Sequence, residues 1–157
     1  QDIVHPATTL SNDAFRFLNS RPVASANQDA AAAAFLSLYS TQYDWKNKVV
    51  RSHVENLLAG PQKDHSFSEY GGLDLGYGSV TLNYLAAMQA DGSHDVRSQI
   101  DDLACRLVRF ITPSGQFGGQ FCTRSTTYFL PFGFYLAAQN NNDLHPLSKL
   151  VFYFHDQ

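Results

Sequence analysis

The 157-residue chain has the length of one domain, and 44% of its residues are apolar, 13% aromatic and only 16% charged. This composition excludes an intrinsically disordered chain, which has few aromatic residues and a high net charge. The net charge of −3 provides no basic surface for nucleic acid, and no apolar run approaches the roughly 18 residues of a membrane span. The two cysteines, Cys105 and Cys122, lack metal-binding spacing and leave both the periplasm and the cytoplasm open.

The first half of the chain predicts two helices. Asn27 is a favoured N-cap residue, and the alanine run at 30–34 that follows it is the strongest helix former. The second helix has apolar residues spaced along one side, with Gly60 and Pro61 as its end. These apolar residues are Val50, Val54, Leu57 and Leu58.

Residues 94–111 predict an amphipathic helix with one hydrated side. Ser93 is the expected N-cap, and Thr112 with Pro113 marks the end. The apolar stripe consists of Val96, Ile100, Leu103, Leu107 and Ile111. The spacing of these residues matches one side of an α-helix.

Two further segments, 75–90 and 125–139, contain no charged residue. Pro131 indicates that the regular part of the second segment begins there, since proline is tolerated only in the first turn of a helix. A helix that is apolar on every side is expected to be buried on every side. Amphipathic and fully buried helices are therefore predicted to alternate, whereas a simple helical bundle would show amphipathic stripes throughout.

The chain also contains an internal repeat. Phe67 and Phe117 lie 50 residues apart, and each is followed by a glycine pair and then by a Tyr-Leu-Ala-Ala tetrad, beginning at Tyr84 and Tyr135. A period of about 50 residues with two helices per unit is typical of a helical-hairpin array. We therefore predict an all-α fold: an incomplete α/α toroid of about three hairpins, with outer amphipathic and inner buried helices in two layers.

The predicted toroid forms a single domain over residues 1–157. Its units span roughly 12–44, 45–90 and 93–139, and a further helix starts within 145–157. A closed toroid needs more units, so we expect either an arc of a larger protein or self-association through the open edges.

Polar residues gather in the two glycine-rich loops, 65–77 and 114–128, which directly precede the charge-free helices. Helix N-termini and glycine-rich turns present backbone N–H groups to anionic ligands. Aromatic rings can stack on sugar rings, and arginine can hold a carboxylate through two hydrogen bonds. The loops therefore predict a carbohydrate site at one end of the inner helices.

At these loops the chain resembles a known family. The segments EYGGLDLGYGSVTLNYLAAM and SGQFGGQFCTRSTTYFLPFGFYLAA are similar to the α/α-toroid part of heparinase II/III-like proteins. The resemblance covers roughly residues 64–139 and implies kinship with polysaccharide lyases, which cleave uronic-acid-containing glycans by β-elimination. The histidines are scattered without metal-ligand spacing, and we expect no metal and no cofactor.

The lyase reaction needs a group that neutralises the C5 carboxylate, a base for the C5 proton and an acid for the leaving oxygen. The catalytic candidates that the resemblance implies are Tyr77, Tyr70, Arg124 and His65. The substrate-binding candidates are Glu69, Asp74, Gln120 and Tyr128. Tyr77 or Tyr70 would move the proton, and Arg124 would hold the carboxylate.

Structural roles for the same residues stay open. Asp74 precedes a buried helix and suits an N-cap, and Glu69 with Arg124 suits an ion pair between the loops. Tyr70 and Tyr77 suit the wall of the core.

The function also has alternatives. The Asn-His pair that commonly begins the lyase constellation is not found on an inner helix. The alternative to a lyase is a non-catalytic toroid piece that binds a glycan or a partner protein. A toroid that handles isoprenoids is less favoured, because the chain has no Asp-rich diphosphate motif.

Overall fold

The computed structural model describes residues 12–14, 16–17, 25–43, 55, 67, 69, 72–92, 94–112, 130–142 and 144. Its named helices are α1 (Ala26–Tyr43), α2 (Leu75–Ala90), α3 (Arg97–Leu107) and α4 (Phe132–Asn140), and a 3-10 turn, Val108–Phe110, continues α3. The described residues contain no β-strand, which confirms the all-α prediction. The predicted helix at 50–58 lies outside them except for Glu55, which is helical, and 145–157 lies outside them entirely.

Helix α1 begins one residue before the predicted cap. The carbonyl of Ser25 accepts a hydrogen bond from the N–H of Asp29 at 3.0 Å, so Ser25 precedes the helix and Asn27 lies in its first turn. The prediction of Asn27 as N-cap is therefore wrong. The physical reason is that the N–H of Asn27 is satisfied by a carboxyl group from elsewhere in the chain.

Helix α2 has the bounds and the environment that its charge-free sequence predicts. Ala90, its last residue, is the only exposed one, and the others are buried or half-buried. Gly92 has a left-handed backbone (φ +73°), which suits glycine just after a helix end. The helix packs against α1, α3 and α4 and is thus the centre of the described core.

Helix α3 runs antiparallel to α2. The side-chain oxygen of Gln89 accepts the N–H of Val96 at 2.9 Å at one end of the pair, and Gly78 lies against Leu107 at the other. The predicted start at residue 94 with Ser93 as cap is wrong, because α3 begins at Arg97 and Val96 occupies the cap position. The apolar stripe is confirmed, since Val96, Ile100, Leu103 and Leu107 are fully buried and Ile111 is partly buried.

Helix α4 begins directly after Pro131, as predicted. Its approach to α2 is close: a Cβ at Gly133 would lie 2.6 Å from Cγ of Leu82. The prediction that this helix is buried on every side is wrong, because Phe132 is 42% and Tyr135 40% exposed. The described helices cover only part of the apolar surface of α4.

One apolar cluster joins all four helices. Its largest fully buried side chains are Phe67, Leu75, Leu82, Leu85, Met88, Ile100, Leu103, Leu107 and Val96. In the part of the chain that the structure describes, no helix combines the length and the apolar character that crossing a membrane requires. Cys105 is a half-buried thiol beside Asn141, and Cys122 lies outside the described residues.

Candidate functional site

Glu69, from the first glycine-rich loop, binds the N-terminus of α1. Its Oε1 atom accepts a hydrogen bond of 2.6 Å from the backbone N–H of Asn27, 42 residues earlier in the chain. The first N–H groups of a helix have no partner within the helix, so this carboxyl group supplies one of the missing acceptors. Glu69 is only 3% exposed and thus ties the loop to α1 from inside the protein.

Asp74 caps α2 in the same region. Its Oδ1 atom accepts the backbone N–H of Tyr77 at 2.8 Å, and its own backbone is extended, as is usual for an N-cap. The side chain is buried. The capping role considered for Asp74 in the sequence is thus present, while contact with a sugar stays a prediction.

The two carboxyl groups place the N-termini of α1 and α2 at the same end of the core. A helix N-terminus carries a partial positive charge, which makes a buried carboxylate less unfavourable there. Burial nevertheless raises the pKa of Glu69 above its ordinary value of 4.5, and the negative charge of Asp74 adds to the rise. The hydrogen bond from Asn27, with a smaller contribution from Ser25, opposes the rise.

The second carboxyl oxygen of Glu69 has a different environment. Oε2 is buried and has no hydrogen-bond partner among the described residues. An unpaired oxygen of this kind favours the protonated, neutral form, which agrees with the direction of the pKa shift.

The backbone of the first loop is fixed at two places. Glu69 and Gly72 exchange backbone hydrogen bonds of 2.8 and 3.0 Å, which reverses the chain direction between them. Phe67 is fully buried and adopts φ +44°, a left-handed conformation that is unfavourable for a residue with a side chain. Core packing of the Phe67 ring therefore holds a strained backbone beside the candidate site.

Tyr77 lies in the first turn of α2 and is half-buried. Of the predicted catalytic residues, it is the one that the structure describes, and it lies three residues after the Asp74 cap. The other three, Tyr70, His65 and Arg124, lie outside the described residues, as do Gln120 and Tyr128. The structure thus brings Glu69, Asp74 and Tyr77 together, and the roles of the second loop stay predictions.

Two groups of polar residues that bind the first residues of a helix were not among the site residues predicted from the sequence. At α1, the backbone N–H of Asn27 donates to Glu69, and the hydroxyl of Ser25 donates to Oδ1 of Asn27. The pattern Ser-x-x-Gln at 25–28, a variant of the capping box, is the signal that marks this start. Ser79 Oγ and Asn83 Oδ1, one turn apart on α2, accept the N–H groups of Leu130 and Gly133 at 3.0 and 3.1 Å. These polar side chains on α2 therefore hold the start of α4.

Comparison with known proteins adds no relative. No protein-family model, curated protein or solved structure matches the chain. Within the described residues, no group of three or more His, Cys, Asp or Glu side chains is placed to hold a metal ion. The geometry at the N-termini of α1 and α2 is therefore the basis for a functional proposal.

Proposed function

We propose that the chain is an arc of an α/α toroid that binds a uronic-acid-containing glycan and cleaves it by β-elimination. The supporting observation is the polar end of the core, where Glu69, Asp74 and Tyr77 surround the starts of α1 and α2. This is the end at which the repeat places the glycine-rich loops. The sequence resemblance to heparinase II/III-like proteins gives the reaction type.

The two buried carboxyl groups define what this part of the site can do. Each already accepts one N–H at the positive N-terminus of α1 or α2, so these helix ends have fewer donors left for the carboxylate of a substrate. A cationic side chain therefore neutralises the substrate in this proposal, and Arg124 in the second loop is the proposed one. Glu69 and Asp74 then act as positioning residues that hold the first loop and α2.

Tyr77 is the proposed proton-transfer residue. As the C5–H bond breaks, its electron pair forms the C4–C5 double bond, and the C4–O pair leaves with the glycosidic oxygen, which takes up a proton. A tyrosine can take the first proton and supply the second. Tyr70 and His65 in the first loop are the alternative proton carriers, and Gln120 and Tyr128 would bind sugar hydroxyls.

An activity assay with a matched pair of variants tests this proposal. The protein is incubated with alginate, heparan-type and pectin-type polysaccharides, and the ultraviolet absorbance of the unsaturated product is followed. Tyr77→Phe should lower kcat by about 100-fold or more, because it removes a proton-transfer group. Tyr84→Phe is the control, since Tyr84 is also half-buried on α2, two turns further along.

The second candidate function is glycan binding without cleavage. It is favoured by the absence from the sequence of the Asn-His pair that commonly begins the lyase constellation, and by the use of Glu69 and Asp74, the carboxyl groups nearest Tyr77 in the chain, as acceptors for helix N–H groups. Binding measured by calorimetry with no unsaturated product would support this function and contradict the lyase. Neither binding nor product on any of the three substrates would contradict both, and equal activity of the two tyrosine variants would contradict the role of Tyr77.

A further inference from the structure

The side chain of Ser79 links the first turn of α2 to the residues that lead into α4. Its Oγ atom donates a hydrogen bond of 2.7 Å to the carbonyl of Gly76 and accepts the backbone N–H of Leu130 at 3.0 Å. Ser79 is fully buried. A hydroxyl has one proton and can also accept, so both capacities of this side chain are used. The bond to Gly76 fixes the direction in which the oxygen accepts the N–H of Leu130.

This link joins equivalent positions of the internal repeat. Ser79 and Leu130 are 51 residues apart, which is also the separation of the two Tyr-Leu-Ala-Ala tetrads. About one turn further along, Leu82 lies against Gly133, and these two residues have the same separation. Contacts that advance together along two helices require the helices to run parallel and in register. The starts of α2 and α4 therefore lie side by side.

Both ends of the link adjoin residues of the proposed site. Tyr77 directly follows Gly76, and Tyr128 precedes Leu130 by two residues. Two residues of chain span at most about 7 Å, so a backbone fixed at Leu130 limits how far Tyr128 can move away from α2. Tyr128 lies outside the described residues, and this limit follows from covalent geometry alone.

Asn83 holds α4 through a separate contact. Its Oδ1 atom accepts the N–H of Gly133 at 3.1 Å. Pro131, between the two bonded positions of this segment, has no N–H to donate. Loss of the Ser79 link therefore frees the backbone at Leu130 while α4 keeps its hydrogen bond to α2.

We propose that Ser79 is a positioning residue, which holds Tyr128 near Tyr77 by fixing the backbone at Leu130. This inference rests on the proposed function, in which Tyr128 binds sugar hydroxyls and Tyr77 transfers the proton. Because Ser79 is fully buried, it acts through these residues and not on the glycan itself. Its loss should weaken glycan binding more than it slows the chemical step.

Two substitutions at fully buried hydroxyl groups of α2 test the link. Ser79→Ala removes it, whereas Thr81→Val removes a hydroxyl that has no hydrogen-bond partner among the described residues. Amide hydrogen exchange in the full chain, measured by NMR, should be about fivefold or more faster at Leu130 in Ser79→Ala, since one hydrogen bond is lost. Exchange at Gly133 should change little, and Thr81→Val should change neither position.

Kinetics in the lyase assay test the positioning role. Ser79→Ala should raise KM by about fivefold and lower kcat by less than about twofold, because a binding group is displaced and the proton-transfer group is kept. A merely structural loss would reduce the amount of active protein, which lowers kcat and leaves KM unchanged. If the glycan is bound without cleavage, Kd from calorimetry replaces KM, with Thr81→Val again as the control.

The outcomes separate the link from the function. Unchanged exchange at Leu130 in Ser79→Ala would contradict the link. Faster exchange with unchanged KM and Kd, or an equal rise in Thr81→Val, would contradict the positioning role. Neither cleavage nor binding by the unchanged protein would overturn the proposed function and the positioning role with it, while exchange at Leu130 still measures the link. If Ser79→Ala does not fold, Ser79→Cys replaces it, since a thiol is a weaker hydrogen-bonding group.

Discussion

At the scale of single residues, Glu69 has the most unusual environment in the described structure. A buried carboxyl group is normally unfavourable, and here one oxygen bonds the N-terminus of α1 while the other has no partner among the described residues. The positive end of α1 offsets part of the burial, but the pKa of Glu69 is still raised. Glu69 therefore joins two distant segments, and the free-energy cost of burying its carboxyl group depends on pH.

This cost gives a prediction for the stability of the protein. Because the pKa of Glu69 is higher in the folded state, the folded protein binds more protons, and its free energy of unfolding falls as the pH rises from about 4.5 through the raised value. Glu69→Gln keeps an acceptor for the Asn27 N–H and removes the titration. Urea unfolding at several pH values should show the unchanged protein losing stability relative to Glu69→Gln as the pH rises.

The same substitution at an exposed position is the control. Glu55→Gln should leave the pH dependence of unfolding close to that of the unchanged protein, since Glu55 is exposed. A gain in stability of the unchanged protein relative to Glu69→Gln with rising pH would show that the carboxylate is stabilised by its surroundings, contrary to the direction derived from its burial.

At the scale of helices, small residues set how closely α2 meets its neighbours. A Cβ at Gly133 would lie 2.8 Å from the backbone carbonyl of Leu82, and a Cβ at Gly78 would lie 2.9 Å from a methyl group of Leu107. A backbone cannot move aside as easily as the end of a side chain. Both glycines lie at helix contacts. A side chain at position 133 would require the backbone of a helix to move, whereas one at position 78 would require only the Leu107 side chain to move.

A series of glycine variants tests this difference. Gly133→Ala should cost about 1–3 kcal/mol, because α4 has to move away from α2. Gly78→Ala should change the stability by less than about 1 kcal/mol, since the Leu107 methyl can rotate and alanine favours the helix. The free energies of unfolding come from urea titrations.

Gly72→Ala is the control for the series. Apart from the adjacent residues, no atom in the described part of the chain lies within 4 Å of a Cβ at this position, and the stability should change by at most about 0.5 kcal/mol. Equal losses at Gly133 and Gly78 would mean that the α2–α4 contact is not closer than the α2–α3 contact.

At the scale of the whole molecule, the four described helices share one apolar cluster centred on α2. No described helix has a core of its own, so the helices should unfold together. This sharing also explains why α2 is buried along almost its whole length although it carries Ser79, Thr81 and Asn83. Two of these polar side chains, Ser79 and Asn83, are used to bind the start of α4.

Cooperative unfolding is the corresponding prediction. Leu82→Ala, in the centre of the cluster, should cost about 2–5 kcal/mol. It should lower the urea midpoints of far-ultraviolet circular dichroism and of tyrosine absorbance by the same amount. Leu38→Ala is the matched control at an exposed leucine of α1 and should change both midpoints little. Separate midpoints for the two signals would contradict a single shared core.

Local chemistry in the sequence was sufficient to predict several features of the fold. The bounds of α2 follow from the Asp74 cap and a segment without charge, and the start of α4 follows from the fixed backbone of Pro131. The buried stripe of α3 follows from helical spacing. Each of these features depends on residues within a few positions of one another.

Contacts between distant segments decided the rest. The Tyr-Leu-Ala-Ala tetrads are identical, yet Tyr84 is half-buried and Tyr135 is exposed, because exposure depends on which helices pack alongside. Similarly, the sequence places Glu69 in a polar loop, but only the folded chain brings it to the N–H of Asn27. The sequence by itself determined the bounds of α2, the start of α4 and the apolar stripe of α3, since these come from local geometry. The tertiary structure alone decided the pairing of Glu69 with Asn27 and of Ser79 and Asn83 with the start of α4, because these partners are far apart in the chain.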